Sequence, residues 1–219
     1  MLAMLLADPE LMLLLAPGLL FSLTIHEYGH ARMALAFGDP TARDMGRLSL
    51  NPLRHLDFMG TVMILLVGFG WAKPVPVNRA NLHPPRWGEI AVSLAGVLNN
   101  VGFAVLLGLV LRVLIVRGAM DRLPHGDTVA VMMLLTLRIN LVLVVFNLLP
   151  LFPLDGHHIV RELLPRRHQQ DFMHWQVHFG RYILLGLLIA PMLSPKIPSP
   201  LRMLFSRVID PVTYWLIVG

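Results

Sequence analysis

From Leu11 to Phe37 the chain is apolar almost without a break, interrupted by Pro17-Gly18 and by one polar group, His26, Glu27, His30 and Arg32. Wound as a helix at about 1.5 Å per residue, the run is roughly 40 Å long, more than the ~30 Å hydrocarbon core of a bilayer. Comparable runs occupy 89–116 and 129–149, a shorter one 179–193, and a last one 201–219. With 56% apolar and 14% charged residues, the chain has more apolar surface than a soluble domain of this size can bury. The expected fold is an all-α polytopic membrane protein with about four to six transmembrane helices. It forms a single domain over 1–219, with a core at 11–160 and C-terminal helices at 176–219. Met1–Glu10 lacks a basic n-region and holds Asp8 and Glu10, so it is expected to be retained, not cleaved as a signal.

The stretch from Gly60 to Gly70 is too short to span, and Pro74 and Pro76 at alternate positions after Trp71 enforce extended backbone. A short re-entrant β hairpin or strand is therefore expected near residues 60–78.

The net charge of +5 could suggest nucleic acid, yet the basic residues fall between apolar runs and form no stripe interleaved with aromatics. They read instead as topology determinants, with the bilayer as the partner and no nucleic acid. Lys and Arg number six in 38–88 and four in 156–181, against two in 117–128 beside Asp121 and Asp127. The first two segments should be cytoplasmic and the N-terminus outside, provided 60–70 does not cross. A multi-pass cell-membrane protein results, with its polar centre toward the cytoplasmic side.

The sequence has no cysteine, which removes thiolate ligands, iron–sulfur clusters and a Cys nucleophile, so a metal must sit on His and carboxylates. His26-Glu27-Tyr28-Gly29-His30 supplies such a set. Two histidines four apart on a helix share one face, and both imidazoles can bind the same ion. Glu27 is offset by one residue, beside the metal and not on it, suited to taking a proton from water whose pKa zinc lowers to roughly 7. A charged residue near the centre of a spanning helix costs on the order of 2.5–3.5 kcal/mol on insertion scales, and a divalent cation offsets that cost. The alternative is that neighbouring helices satisfy these side chains by hydrogen bonds.

A catalytic zinc needs a third protein ligand and an open position. Pro150 and Pro153 break the helix ending near Asn147 and leave backbone carbonyls unpaired, which a membrane tolerates only around a polar cavity. Asp155 lies there, with a cap or turn role before Gly156 as the alternative, and Glu89 and Glu162 are rival carboxylates. Among other histidines, His55 in the loop near Asp57 could cap the site. His157 and His158 follow Asp155-Gly156 as a polar rim, and His174 and His178 flank Trp175 in an interfacial stretch.

Four segments in order resemble the site-2 protease family of intramembrane zinc metalloproteases. They are the His26–His30 helix; Gly38 to Ala42 followed by Gly46 to Pro52; Gly70 to Asn78; and Asn147 to Gly156. The resemblance is to the compact branch, without a PDZ or nucleotide-sensing domain. It implies one Zn2+ per chain held by His26, His30 and Asp155, Glu27 as the catalytic acid/base, and Asn147 as a contact to substrate backbone or oxyanion. The family's Ala-Gly-Pro helix motif appears here as Ala95-Gly96-Val97, and Phe58 replaces a customary proline. Asn100 occupies the usual asparagine place in that helix, with Asn99 beside it. The expected activity is hydrolysis of peptide bonds in transmembrane segments of protein substrates, as in regulated intramembrane proteolysis. The alternative is a membrane metal-binding or metal-transport protein without protease activity.

Overall fold

Prolines and glycines punctuate the helices. The computed structural model describes residues 9–60, 62, 72–193 and 199–219. In order along the chain are α1 (Pro9–Ala36), the single turn α2 (Thr41–Asp44), α3 (Pro85–Val116), α4 (Gly126–Asn147), α5 (Asp155–Leu163), α6 (Arg166–Trp175), α7 (Arg181–Leu193) and α8 (Pro200–Ile217). Helices α3 and α8 both open with a proline in the first turn, where a missing N–H costs nothing. At α8 the Ser199 hydroxyl oxygen also accepts from Arg202 N–H at 3.1 Å. A five-residue wide turn, Gln176–Gly180, joins α6 to α7.

Helices α1, α3 and α4 are each long and apolar enough to cross a membrane, and they pack on one another. Between α1 and α3 the approach is close: a Cβ on Gly29 would stand 2.7 Å from the Ala95 carbonyl oxygen, so only glycine fits. Ala104 and Leu137 meet Leu216 of α8 in one apolar cluster, and Ala34 meets Leu82 and Val92 in another. On the outer face of α3, Leu98, Leu106, Leu109 and Val113 stay exposed, as a lipid-facing surface requires.

The spanning helices match the expected runs, with ends shifted by a few residues to Pro85, Gly126 and Asn147. Against the expected four to six, the described residues hold three helices long and apolar enough to cross. Helix α7 is only 13 residues long, and α8 carries Arg202, Arg207 and Asp210. The β hairpin is also not found. Residues 73–77 are neither helix nor strand, and the described residues contain no sheet, only an isolated antiparallel bridge between Leu56 and Ala72. The prolines remove the ladder donors that pairing needs. Residues 61 and 63–71, on which the rest of that expectation falls, lie outside the described residues.

Polar side chains hold the loop before α3. The buried Arg47 guanidinium donates to the carbonyls of Arg54, Lys73 and Pro74. Asp39 accepts from Thr41 N–H, the Thr41 hydroxyl, Asn78 N–H and the Asn81 amide.

Candidate metal centre

One helix face carries His26 and His30, as their spacing requires, and Asp155 at the start of α5 comes to meet them. All three are largely buried. Their ligand atoms lie within 4.8 Å of one another. His26 Nε2 is 3.0 Å from His30 Nε2, and Asp155 Oδ2 is 3.2 Å from the first and 3.4 Å from the second.

The hydrogen bonds behind the rings decide which nitrogen carries the proton. His30 Nδ1 lies 2.8 Å from the Val92 carbonyl, which can only accept, so Nδ1–H donates and Nε2 keeps its lone pair. His26 Nδ1 lies 2.6 Å from Asn100 Oδ1. That amide is oriented by its own nitrogen, which donates to the Ser22 carbonyl at 3.2 Å and to Asn140 Oδ1 at 2.7 Å. Asn140 is oriented in turn by donation to the Thr136 carbonyl at 2.8 Å and to the Ser22 hydroxyl at 2.7 Å. His26 Nδ1 is therefore also a donor. With the rings neutral, both Nε2 atoms present lone pairs to each other and to a carboxylate oxygen that is buried without a hydrogen-bond partner.

Three electron-rich atoms so close together repel unless a cation lies between them. Two nitrogens at about 2.0–2.1 Å from a tetrahedral zinc stand roughly 3.3 Å apart, close to the separations found. Nitrogen and carboxylate donors with no sulfur are also a set zinc accepts. The donor set thus fits zinc. Gly96 of α3 makes room for it, since a Cβ there would stand 2.6 Å from His30 Nε2 and 2.8 Å from His26 Cε1.

Glu27 follows His26 on α1, and its Oε2 accepts from Val75 N–H at 3.0 Å, so the loop at Val75 lies against the carboxylate. Asn147 ends α4, and its amide donates to the Leu143 carbonyl one turn back at 3.0 Å. Among the described residues it makes no hydrogen bond to His26, Glu27, His30 or Asp155.

The rival carboxylates are occupied elsewhere. Glu89 pairs with Arg79 at 2.7 Å, with His158 at 3.1 Å and with Arg161, and the buried Glu162 pairs with Arg79 at 2.8 Å and Arg161 at 3.0 Å. This cluster ties α5 to α3 and so fixes the helix that begins with Asp155.

His55 is buried, and its Nε2 donates to the Ser49 carbonyl at 2.7 Å within the loop. His157 is also buried, with Nδ1 donating to the Leu154 carbonyl. Burial, helped by neighbouring His158, pushes its imidazole down to about 4. Burial raises the Asp39 carboxyl, but the donors from Thr41, Asn81 and Asn78 outweigh it and hold the group below its usual range. Asn99 donates to the Ile25 carbonyl at 3.0 Å and joins α3 to α1.

Sequence reasoning left Asn100 unassigned between it and Asn99, and it overlooked Ser22 and Asn140. An Asn in the middle of the apolar α4 run was the available signal, because such a group needs a partner in a neighbouring helix.

The sequence profile of peptidase family M50 matches residues 14–189. The Bacillus subtilis protein named "Putative zinc metalloprotease YwhC" is 40% identical over 203 residues, covering 89% of this chain and 91% of that protein. The Mycolicibacterium smegmatis protein named "Putative zinc metalloprotease Rip2" is 32% identical over 188 residues, covering 83% of this chain and 69% of that protein. Its namesake from Mycobacterium tuberculosis is 32% identical over 183 residues, covering 81% and 67%. No solved structure matches the chain.

Proposed function

The chain belongs to peptidase family M50, the site-2 protease family, and on that premise we propose that it is a membrane zinc metalloprotease cutting transmembrane segments of other proteins. The observation that carries this reading is the convergence of two neutral imidazole nitrogens and an unpartnered buried carboxylate oxygen, one residue from a glutamate. His26, His30 and Asp155 are the ligands of a single zinc. When bound, zinc supplies Lewis acidity that polarises the scissile carbonyl and acidifies water.

Glu27 takes the proton of the attacking water and returns it to the leaving amine. The Val75 N–H leaves room for a second acceptor interaction on that carboxylate and holds it in place. Asn147, at the broken end of α4, steadies substrate backbone or the developing oxyanion. A spanning helix hides its carbonyls, so the substrate must unwind locally before it is cut. The positive-inside count puts the site toward the cytoplasmic side of the cell membrane.

The test separates metal from proton transfer. Glu27→Gln keeps its shape but accepts no proton, so zinc should stay near one per chain while cleavage of a membrane substrate disappears. His26→Ala and His30→Ala should lose both. Zinc retained by His26→Ala, measured by elemental analysis of purified protein, would refute the ligand assignment.

A further inference from the structure

The helices that follow α5 contribute a buried side chain to the segment that carries Asp155. Gln176, at the start of the wide turn between α6 and α7, is 1% exposed. Its Oε1 accepts from Phe152 N–H at 2.9 Å, and its Nε2 donates to the Pro150 carbonyl at 2.7 Å. Both partners belong to the stretch between α4 and α5, where Pro150 and Pro153 cannot donate and the helix cannot continue.

The other bonds of that stretch are to near neighbours in sequence, among them Leu151 N–H to the Leu149 carbonyl and Leu154 N–H to the Leu151 carbonyl, each at 2.8 Å, and the His157 side chain to the Leu154 carbonyl. Gln176 is thus the side chain from outside the stretch that meets one donor and one acceptor of a backbone which neither helix can satisfy. Nearby packing is shaped to admit it. A Cβ on Gly180 would stand 2.4 Å from Gln176 Oε1 and 3.2 Å from Phe152 N. The Phe152 ring lies edge-on to His157 at 5.3 Å, two residues past Asp155. A chain of contacts therefore runs from the wide turn through Phe152 to the first turn of α5.

We propose that Gln176 is a positioning residue for the metal centre: it latches the proline-broken segment and so sets where Asp155 meets His26 and His30. The proposal rests on the zinc reading above. It assigns α6 and α7 a part in the site beyond membrane anchorage. The wide turn fits this role, because a local widening re-aims one side chain inward without breaking the helix.

Full-length protein in detergent, stripped of metal and titrated with zinc against a chromophoric chelator, tests it. Gln176→Leu removes both bonds and should weaken zinc binding roughly ten- to hundredfold, the range for groups that orient a ligand. Gln176→Glu keeps the acceptor for Phe152 N–H but loses the donor to Pro150, and should fall between. Gln170→Leu, the same change at an exposed site on α6, should bind as wild type does.

Amide hydrogen exchange in the metal-free Leu variant should rise in residues 148–155 while α1 and α3 keep their protection. Wild-type zinc affinity in Gln176→Leu overturns the proposal. So does weakened binding accompanied by loss of protection throughout the protein in both Gln176 variants. If the wild-type protein itself binds no zinc, the metal reading fails instead.

Discussion

At the residue scale the proposed ligands depend on protons held by groups that touch no metal. Asn100 fixes His26 through one oxygen, and its own orientation is set by Ser22 and Asn140. Asn100→Leu frees the ring to take the other tautomer and should reduce zinc affinity roughly ten- to hundredfold. Asn100→Asp restores an acceptor and should recover part of the loss; chelator competition at constant pH measures both. Equal affinities in all three proteins would remove Asn100 from the site.

Asp39 makes a different prediction. Its folded carboxyl titrates below the ordinary 3.8, so its contribution to stability is complete above that pH and is lost as pH falls below it toward the folded value. The thermal midpoint of the wild type should drop over the interval below pH 3.8. Asp39→Ala should start lower and lose less over that interval. A parallel drop in both proteins would exclude Asp39 as a source of the acid sensitivity.

At the element scale, α4 and α8 are joined by the pair Arg138–Asp210. Arg138 lies near the middle of α4 and is 46% exposed, so a spanning α4 puts its guanidinium at hydrocarbon depth with Asp210 as its counter-charge. A lone charge at that depth costs on the order of 2.5–3.5 kcal/mol. Asp210→Leu should therefore lower unfolding stability in mixed micelles by about 2–3 kcal/mol, and Arg138→Leu/Asp210→Leu should regain most of it. A double variant no more stable than the single one would mean that the pair faces water. The same logic separates α5 from an ordinary surface helix. Its Glu162 and Arg161 join Glu89 and Arg79 in a shared cluster, so α5 is held to α3 by charge, while Gln176 holds, as proposed, the segment that leads into α5.

At the scale of the whole molecule, where Lys and Arg fall predicts an orientation with the site toward the cytoplasm. Since the chain has no cysteine, single cysteines can be added without background. A cysteine at Ser49 or Arg166 should react with a membrane-impermeant thiol reagent from the cytoplasmic side alone, and one at Asp127 from outside alone. The reverse pattern would invert the molecule and move cleavage to the outer leaflet.

The three apolar runs and the His26–His30 spacing were legible because both are local: hydropathy and a four-residue repeat need no partner to be read. Asp155 was legible as a candidate from the prolines around it, although Glu89 and Glu162 remained rivals in sequence. What occupies them is Arg161 on Glu89 and Arg79 on Glu162, each pair more than seventy residues apart in sequence and joined by the packing of α5 on α3. The alternating prolines made a helix over 73–77 impossible to expect, but the β hairpin read from them is not supported, because pairing depends on what lies beside the segment. The tautomers of both histidines, the Ser22–Asn140–Asn100 ladder and the place of Gln176 belong to tertiary structure alone. A side-chain hydrogen bond is decided by which groups meet in space, and no periodicity along the chain records that meeting.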